Sequence, residues 1–370
     1  MKKKLYAIWG TYLRNLKLLG RQKQLLAAPI FLPVIVMFLT AVIMGAGGDQ
    51  WPIGLINESR DPSAQTLQAS IQQSRSNITP YYRIVETDLD RARALVREGR
   101  LQMLIRIPQD YAVTREVSIE TYNVNTDMMK NVRLRLEHSL LDELKARDEL
   151  WFIPHLKTEK PEDVWRVSFI AGSCVLLSLF MGAALTAANL FAFEHENRTR
   201  KEIFLTPLPL WTAGIGNLLA SLTVTWLCSV PSLLLAVSVF RMKIHLVNLL
   251  QVYLFMIPVM IACSVVGMLI AFGLKNYRVL QPVILVTSIA TFFGAGGFIG
   301  VSVLPPGSQL FAKYWVLSRV FEWFNPILHR FSSGLSLAQI MAITAIMTVS
   351  LLCVPAIYKG AAAARMSNGQ

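Results

Sequence analysis

Charged side chains are scarce in this sequence: only 16% of its residues are Asp, Glu, Lys or Arg, against 54% hydrophobic, and mean hydropathy is +0.45. That balance excludes an ordinary soluble domain and points to a membrane protein. The scarcity is local. Leu25–Met44, Val167–Ala192, Leu208–Phe240, Leu246–Leu274, Val279–Leu304 and Leu335–Tyr358 contain no Asp, Glu, Lys, Arg or His. Each is long enough to cross a hydrocarbon core. Six spans are predicted, with Pro231 kinking Leu208–Phe240 or marking where it leaves the bilayer.

Other absences narrow the chemistry. The four cysteines, Cys174, Cys228, Cys263 and Cys353, all fall in apolar segments, so they read as packing thiols and not as a zinc or redox site. Gly45–Gly48 and Gly294–Gly297 lack the following Lys-Ser/Thr pair of a phosphate-binding loop. They suit close helix approach or local unwinding instead, and Gly296 with Gly300 has small-xxx-small spacing. There is no HExxH, no nucleophile elbow, and the five histidines are scattered. No active site, metal or cofactor is expected of this chain. The uncharged spans also disfavour an ion-coupled transporter, which needs ionisable groups within the membrane to carry its ion. A transporter built this way takes its energy through a surface loop.

The charge that is present is unevenly placed. Net charge is +13, and Lys2, Lys3, Lys4, Arg14, Lys17, Arg21 and Lys23 precede the first span with no acid among them. Such a bias orients membrane helices with the basic side in the cytoplasm. Nothing resembles a recognition helix or aromatic-interleaved basic strands, which argues against nucleic acid. In residues 1–24, Leu5, Ile8, Trp9, Tyr12, Leu16 and Leu19 share one helical face, as in a helix lying in the cytoplasmic interface. Residues 25–44 form the first span. A signal peptide is the competing reading, but the polar part is too long and the apolar part exceeds the usual h-region.

Residues 45–163 hold most of the acids, interleaved with arginines, and no run long enough to span. Strands are expected at Trp51–Asn57, Tyr81–Val85, Leu101–Ile107 and Val117–Tyr122. Helices are expected at Pro62–Ser74, Asp88–Glu98 and Asn125–Leu150. This is an external α/β domain without a cysteine, held by its core alone. Residues 164–358 carry the remaining spans, and 359–370 form a cytoplasmic tail. Alternation places both termini, the loop 193–207 and the Lys275–Arg278 turn in the cytoplasm.

Two connections stand out. Phe193–Pro207 packs Glu194, His195, Glu196, Arg198, Arg200, Lys201 and Glu202 between two apolar segments, where a charge at mid-membrane would cost roughly 2.5–3.5 kcal/mol. It therefore reads as a loop outside the bilayer where another protein docks, with Thr206, Pro207 and Pro209 as a helix start. Residues 305–334, with Phe311, Tyr314, Trp315, Phe321, Trp323 and Phe324, read as short helices dipping into the outer interface.

With these features in order, the chain resembles the ABC-2 type permeases, the membrane subunits of bacterial ABC exporters, in the branch with a large external domain between the first two spans. Glu194, Glu196, Thr199, Thr206 and Pro207 match the family's E-x-E-x-G-T-x-E-x-L-L-x-T-P coupling segment. Leu101–Tyr111 looks like its strand leading to an Ile-Pro turn, and Trp323–His329 is similar to its N-P-L segment before the last span. Arg198 stands where the pattern has glycine and Lys201 where it has glutamate, with Glu202 one position later.

The resemblance implies an α-helical polytopic membrane protein of six transmembrane helices with an inserted external α/β domain, in the bacterial inner membrane. It implies a coupling surface of Glu194, Glu196, Thr199, Glu202, Thr206 and Pro207 on a separate P-loop ABC ATPase, which would bind the ATP and Mg. It also implies an external interface helix bearing Trp315, Trp323, Phe324, Asn325 and Pro326. The expected partners are that ATPase, a second permease subunit (identical or different) and the lipid bilayer, with a periplasmic adaptor left open. The expected activity is efflux of an amphiphile such as a drug or lipid. The alternative is a membrane-anchored scaffold that recruits envelope partners through the external domain.

Overall fold

A computed structural model describes residues 2–44, 51–75, 80–97, 101, 103–114, 116–121, 134–138, 141, 164, 166–197, 199–274, 277–298, 301 and 304–367. The chain divides into two units, one of residues 44–165 and one of residues 1–43 with 166–370.

In the inserted unit, β1 (Trp51–Asn57) leads through α1 (Pro62–Gln73) to β2 (Tyr82–Glu86), then through α2 (Leu89–Arg97) to β3 (Met103–Ile107). After α3 (Tyr111–Thr114), β4 (Ser118–Thr121) completes a sheet of order β2-β1-β3-β4. The first three strands are parallel, because helical crossovers join them, and β4 runs antiparallel to β3. Ile53 through Ile56 are buried without alternation, as expected of a parallel strand covered on both faces. Leu67 and Ile71 of α1 cover Ile53 and Leu55, while Ala92 and Val96 of α2 cover Ile56 and Leu104.

Gly54 makes that second contact possible, since a Cβ there would lie 3.0 Å from the Ala92 Cβ. Asp61 caps α1 by accepting from the Ser63 amide at 2.7 Å. Across the two inner strands, Arg106 of β3 donates two bonds at 2.8 Å to Glu58, which follows β1, and those bonds hold the Glu58 carboxyl below its ordinary pKa. The predicted elements hold to within two residues, except the helix at 125–150. There, 134–138 and 141 are helical, with Leu136 in the sheet's core, and the other residues lie outside those described.

The second unit is helical: α4 (Lys2–Arg21), α5 (Gln24–Met44), α6 (Arg166–Glu196), α7 (Arg200–Leu205), α8 (Trp211–Ser238), α9 (Leu246–Leu274), α10 (Tyr277–Gly294), α11 (Pro306–Tyr314), α12 (Val316–Leu328) and α13 (Leu337–Ser367). At its centre is α6, against which α8, α9, α10 and α12 all pack. Within its apolar stretch 83% of the residues are buried, against 11% for α13, so hydropathy alone does not separate the axis from the periphery. Small residues do. In a membrane, helix association depends on close packing, which Gly, Ala and Ser permit. The backbones of α6 and α9 touch at Gly267, where a Cβ would lie 2.1 Å from the Ala184 carbonyl oxygen.

Gly273, on the same helix, has nothing within 4 Å of its would-be Cβ. Both Gly→Ala changes gain equal helix propensity, so their difference isolates the contact. Gly267→Ala is expected to destabilise the protein by about 1–3 kcal/mol, the usual cost of overpacking. Gly273→Ala should melt at or slightly above wild type in a thermal scan of the purified chain.

Among the described residues, five helices are long and apolar enough to cross a membrane: Gln24–Val42, Val167–Glu196, Trp211–Ser238, Leu246–Leu274 and Leu337–Ala363. The remaining predicted span, Val279–Leu304, is shorter than expected. Its apolar helix runs from Val279 to Gly294, after which the chain turns at Gly296 with φ 101°. Gly296 is thus a turn residue; Gly300 lies outside the described residues. Pro231 lies within a continuous α8. Thr206 and Pro207 do not start that helix, which begins at Trp211. Instead Thr206 closes α7, its hydroxyl donating to the Ile203 carbonyl at 2.7 Å. The residue that begins a helix after a proline pair is read from sequence only to within a turn.

Candidate functional site

At 31 residues, α6 is about 46 Å long by its rise per residue, well beyond a hydrocarbon core of about 30 Å. Its C-terminal turn therefore carries polar side chains past the apolar stretch, and the first of them, Glu194, turns inward. Glu194 is 4% exposed. Its Oε1 accepts from Arg14 Nη2 at 2.5 Å and from Asn217 Nδ2 at 3.3 Å, and its Oε2 accepts from the Tyr358 hydroxyl at 3.3 Å. Asn217 also donates to the Tyr358 oxygen at 2.5 Å, and the Asn15 amide donates to Asn217 Oδ1. Arg14 further bonds Asn15 Oδ1 at 3.0 and 3.1 Å.

One carboxylate thus joins α4, α6, α8 and α13. Taking a charge out of water is tolerable only where ionic and hydrogen-bonding partners replace the lost hydration, and all of these do. Phe191 packs edge-to-face on Tyr358 at 5.3 Å directly beneath.

The amphipathic N-terminal helix α4 is held accordingly. It packs along α8, where a Cβ on Gly216 would come 2.6 Å from Thr11 and where the Tyr12 hydroxyl lies 3.4 Å from that of Thr223. Leu19 and Asn15 are buried, while Leu5, Tyr6 and Trp9 are exposed. The buried face is therefore the predicted apolar face rotated to admit Thr11 and Asn15.

Beyond Glu194 the chain turns outward. Thr199 precedes α7, its hydroxyl donating to the Glu194 carbonyl at 3.4 Å and its own carbonyl accepting from the Glu202 amide at 3.1 Å. Ile203 packs onto the bundle core and anchors α7. Glu196, Glu202, Leu205, Thr206 and Pro207 are exposed, Leu205 at 84%. The predicted coupling residues therefore separate. Glu194 faces the bundle, Thr199 is half-buried at the junction, and Glu196, Glu202, Thr206 and Pro207 present a surface. Arg198 lies outside the described residues, as does the side chain of Lys201.

Arg14, Asn15, Asn217 and Tyr358 were not singled out in the sequence. The signal was there: Asn217 is the lone amide in an apolar segment, and in an uncharged span such a group needs a partner.

The predicted interface helix divides in the same way. Trp315 separates α11 from α12 and stacks on Phe311 at 5.2 Å. Trp323, Phe324 and Asn325 are buried against the bundle, with Asn325 donating to the Ser173 hydroxyl at 2.7 Å. The Pro326 carbonyl closes the helix end by accepting from the Phe331 and Ser332 amides.

An uncharged, small-residue helical bundle with a polar cross-brace at one end, and an inserted mixed sheet, defines a multi-pass membrane protein. Its family is established by comparison: residues 23–357 match the sequence profile of the ABC-2 family transporter proteins, and the chain belongs to that family. No curated protein matches it significantly. The family is one of membrane transport components that lack an ATPase of their own and work with an ABC ATPase.

Proposed function

We propose that this chain is the permease subunit of an ABC exporter, moving an amphiphile outward with energy from ATP hydrolysed on a separate subunit that docks at α7. One observation carries the reading. The short helix α7 is anchored to the bundle by Ile203 and exposes Glu202, Leu205, Thr206 and Pro207 beside Glu196, at the end of the central helix. An exposed leucine flanked by acids on a rigidly held turn is the composition of a small docking surface, with an apolar anchor and a charged rim. A push on α7 reaches α6 directly and reaches α4, α8 and α13 through the Glu194 network.

In this reading α7 and both termini are cytoplasmic, the inserted unit is periplasmic, and two permease subunits assemble with two ATPase subunits in the bacterial inner membrane. The uncharged spans suit a cargo with a large apolar part.

Topology and partner are tested together. In a cysteine-free background, an impermeant maleimide applied from outside should label Ser74→Cys and spare Thr199→Cys. The tagged chain should co-purify with an ABC ATPase and raise its hydrolysis rate. Labelling of Thr199→Cys from outside would remove α7 from reach of any ATPase and end the proposal.

A further inference from the structure

Two cavities meet at the junction of α11 and α12. The larger, about 920 Å³, lies between α9, α10 and α13 and is walled by residues such as Val259, Val266, Ile284, Ile343 and Ile346. The smaller, about 430 Å³, lies against α11 and α12, with Gln309 and Ser318 in its wall beside Leu310 and Ala312. Lys313, Arg319 and Glu322 line both, so the apolar cleft and the smaller cavity share one charged threshold. We propose that together they bind one anionic bilayer phospholipid, an acyl chain in the cleft and the headgroup at Lys313 and Arg319.

The threshold has the chemistry of a phosphodiester site. Arg319 pairs with Glu322 at 2.9 Å, and the Lys313 ammonium lies 5.7 Å from the Tyr314 ring centre, so the three charges sum to one positive. A phosphodiester carries one negative charge. Trp315, which lines the cleft beside them, has a buried indole N–H with no acceptor among the described residues. A buried donor left unpaired is costly, and a headgroup or ester oxygen would satisfy it. Aromatic and basic side chains together are also what headgroup depth selects.

The cleft opens on the first half of α13, where Leu337, Met341 and Val349 are exposed. A chain can therefore enter sideways from the bilayer. A helix from a second copy fits less well, because an apolar helix would fill the cleft yet leave the positive threshold and the Trp315 donor unanswered.

Lipid tails are as apolar as the cleft, so a tail gains little by leaving the bilayer. Discrimination must come from the headgroup, and the site should therefore select by charge. The test uses the full chain, purified in detergent and incubated with phosphatidylglycerol or phosphatidylcholine of identical acyl chains, with bound lipid counted by native mass spectrometry. No ATPase is present, so the result is independent of the transport reading.

Wild type should retain phosphatidylglycerol about tenfold over phosphatidylcholine. Lys313→Gln/Arg319→Gln, at two exposed positions, should abolish the preference without lowering the melting temperature. Ala342→Trp, which fills the cleft from exposed α13, should lose both lipids, and glycerol phosphate should not compete. Equal retention of both lipids by wild type, or an unchanged preference in the double variant, would overturn the proposal. Competition by glycerol phosphate with Ala342→Trp still binding lipid would also overturn it, in favour of a free-phosphate site.

Discussion

Glu196→Ala is expected to enter the membrane at wild-type abundance, melt at the wild-type temperature and fail to retain its ATPase. Glu196 is exposed at the end of α6. Changes at exposed positions usually shift stability by less than about 0.5 kcal/mol, so little effect on folding is expected. In the complex the same carboxylate would be desolvated, and truncating one member of a buried, hydrogen-bonded charge pair costs about 2–5 kcal/mol. Two kcal/mol already weakens binding by about thirtyfold. Co-purification should then disappear, and the permease's stimulation of ATP hydrolysis with it. Leu205→Ser should act in the same direction, because an 84%-exposed leucine is worth burying only against a partner. If Glu196→Ala and Leu205→Ser both retain the ATPase and its stimulated rate, α7 is an ordinary solvated turn and the docking role is withdrawn.

Much of this architecture was legible because membranes impose simple rules. Uncharged runs mark spans, and the inserted sheet is announced by the interleaving of acids with arginines and by strands of Val, Ile and Leu at the right lengths. The misreadings are equally physical. Val279–Leu304 is apolar throughout, so hydropathy predicts one helix, yet a left-handed turn at Gly296 ends it, and an apolar run carries no mark of where its backbone bends. The central position of α6 is likewise hidden from hydropathy, because α13 is as apolar and remains peripheral.

The site was legible in part. Charge density picked out Phe193–Pro207, but charge does not say which way a side chain faces. Glu194 and Glu196 look alike in sequence, and both lie within the last turn of one helix. Positions two apart on a helix point to different sides, so one is buried against Arg14 and the other is exposed. Arg14 itself lies among basic residues whose plain role is orientation, and nothing local distinguishes it from Lys17 or Arg21.

That difference leads to the other large effect, expected at Glu194. Glu194→Ala removes the acceptor shared by Arg14, Asn217 and Tyr358. Breaking a fully buried ion pair costs about 3–5 kcal/mol, but Arg14 is 39% exposed and can turn to water, so about 1–3 kcal/mol is expected here. The loss should appear as a lower melting temperature of the purified permease with no ATPase present, a readout that Glu196→Ala leaves unchanged. Glu194→Gln keeps an oxygen for the Tyr358 hydroxyl and gives up only the ionic part, so it should fall between.

The pairing is isolated by a double-mutant cycle with Arg14→Met. In Glu194→Ala/Arg14→Met the arginine no longer seeks a missing anion, and the double variant should be more stable than the two single losses add to. Arg14 bridges α4 to α6, so the same cycle measures what this ion pair contributes to holding α4 against the α7 end of the bundle. Strict additivity would mean that the ion pair contributes nothing. A wild-type melting temperature for Glu194→Ala, with loss of the ATPase alone, would put this carboxylate on the docking surface and not in the frame that supports it.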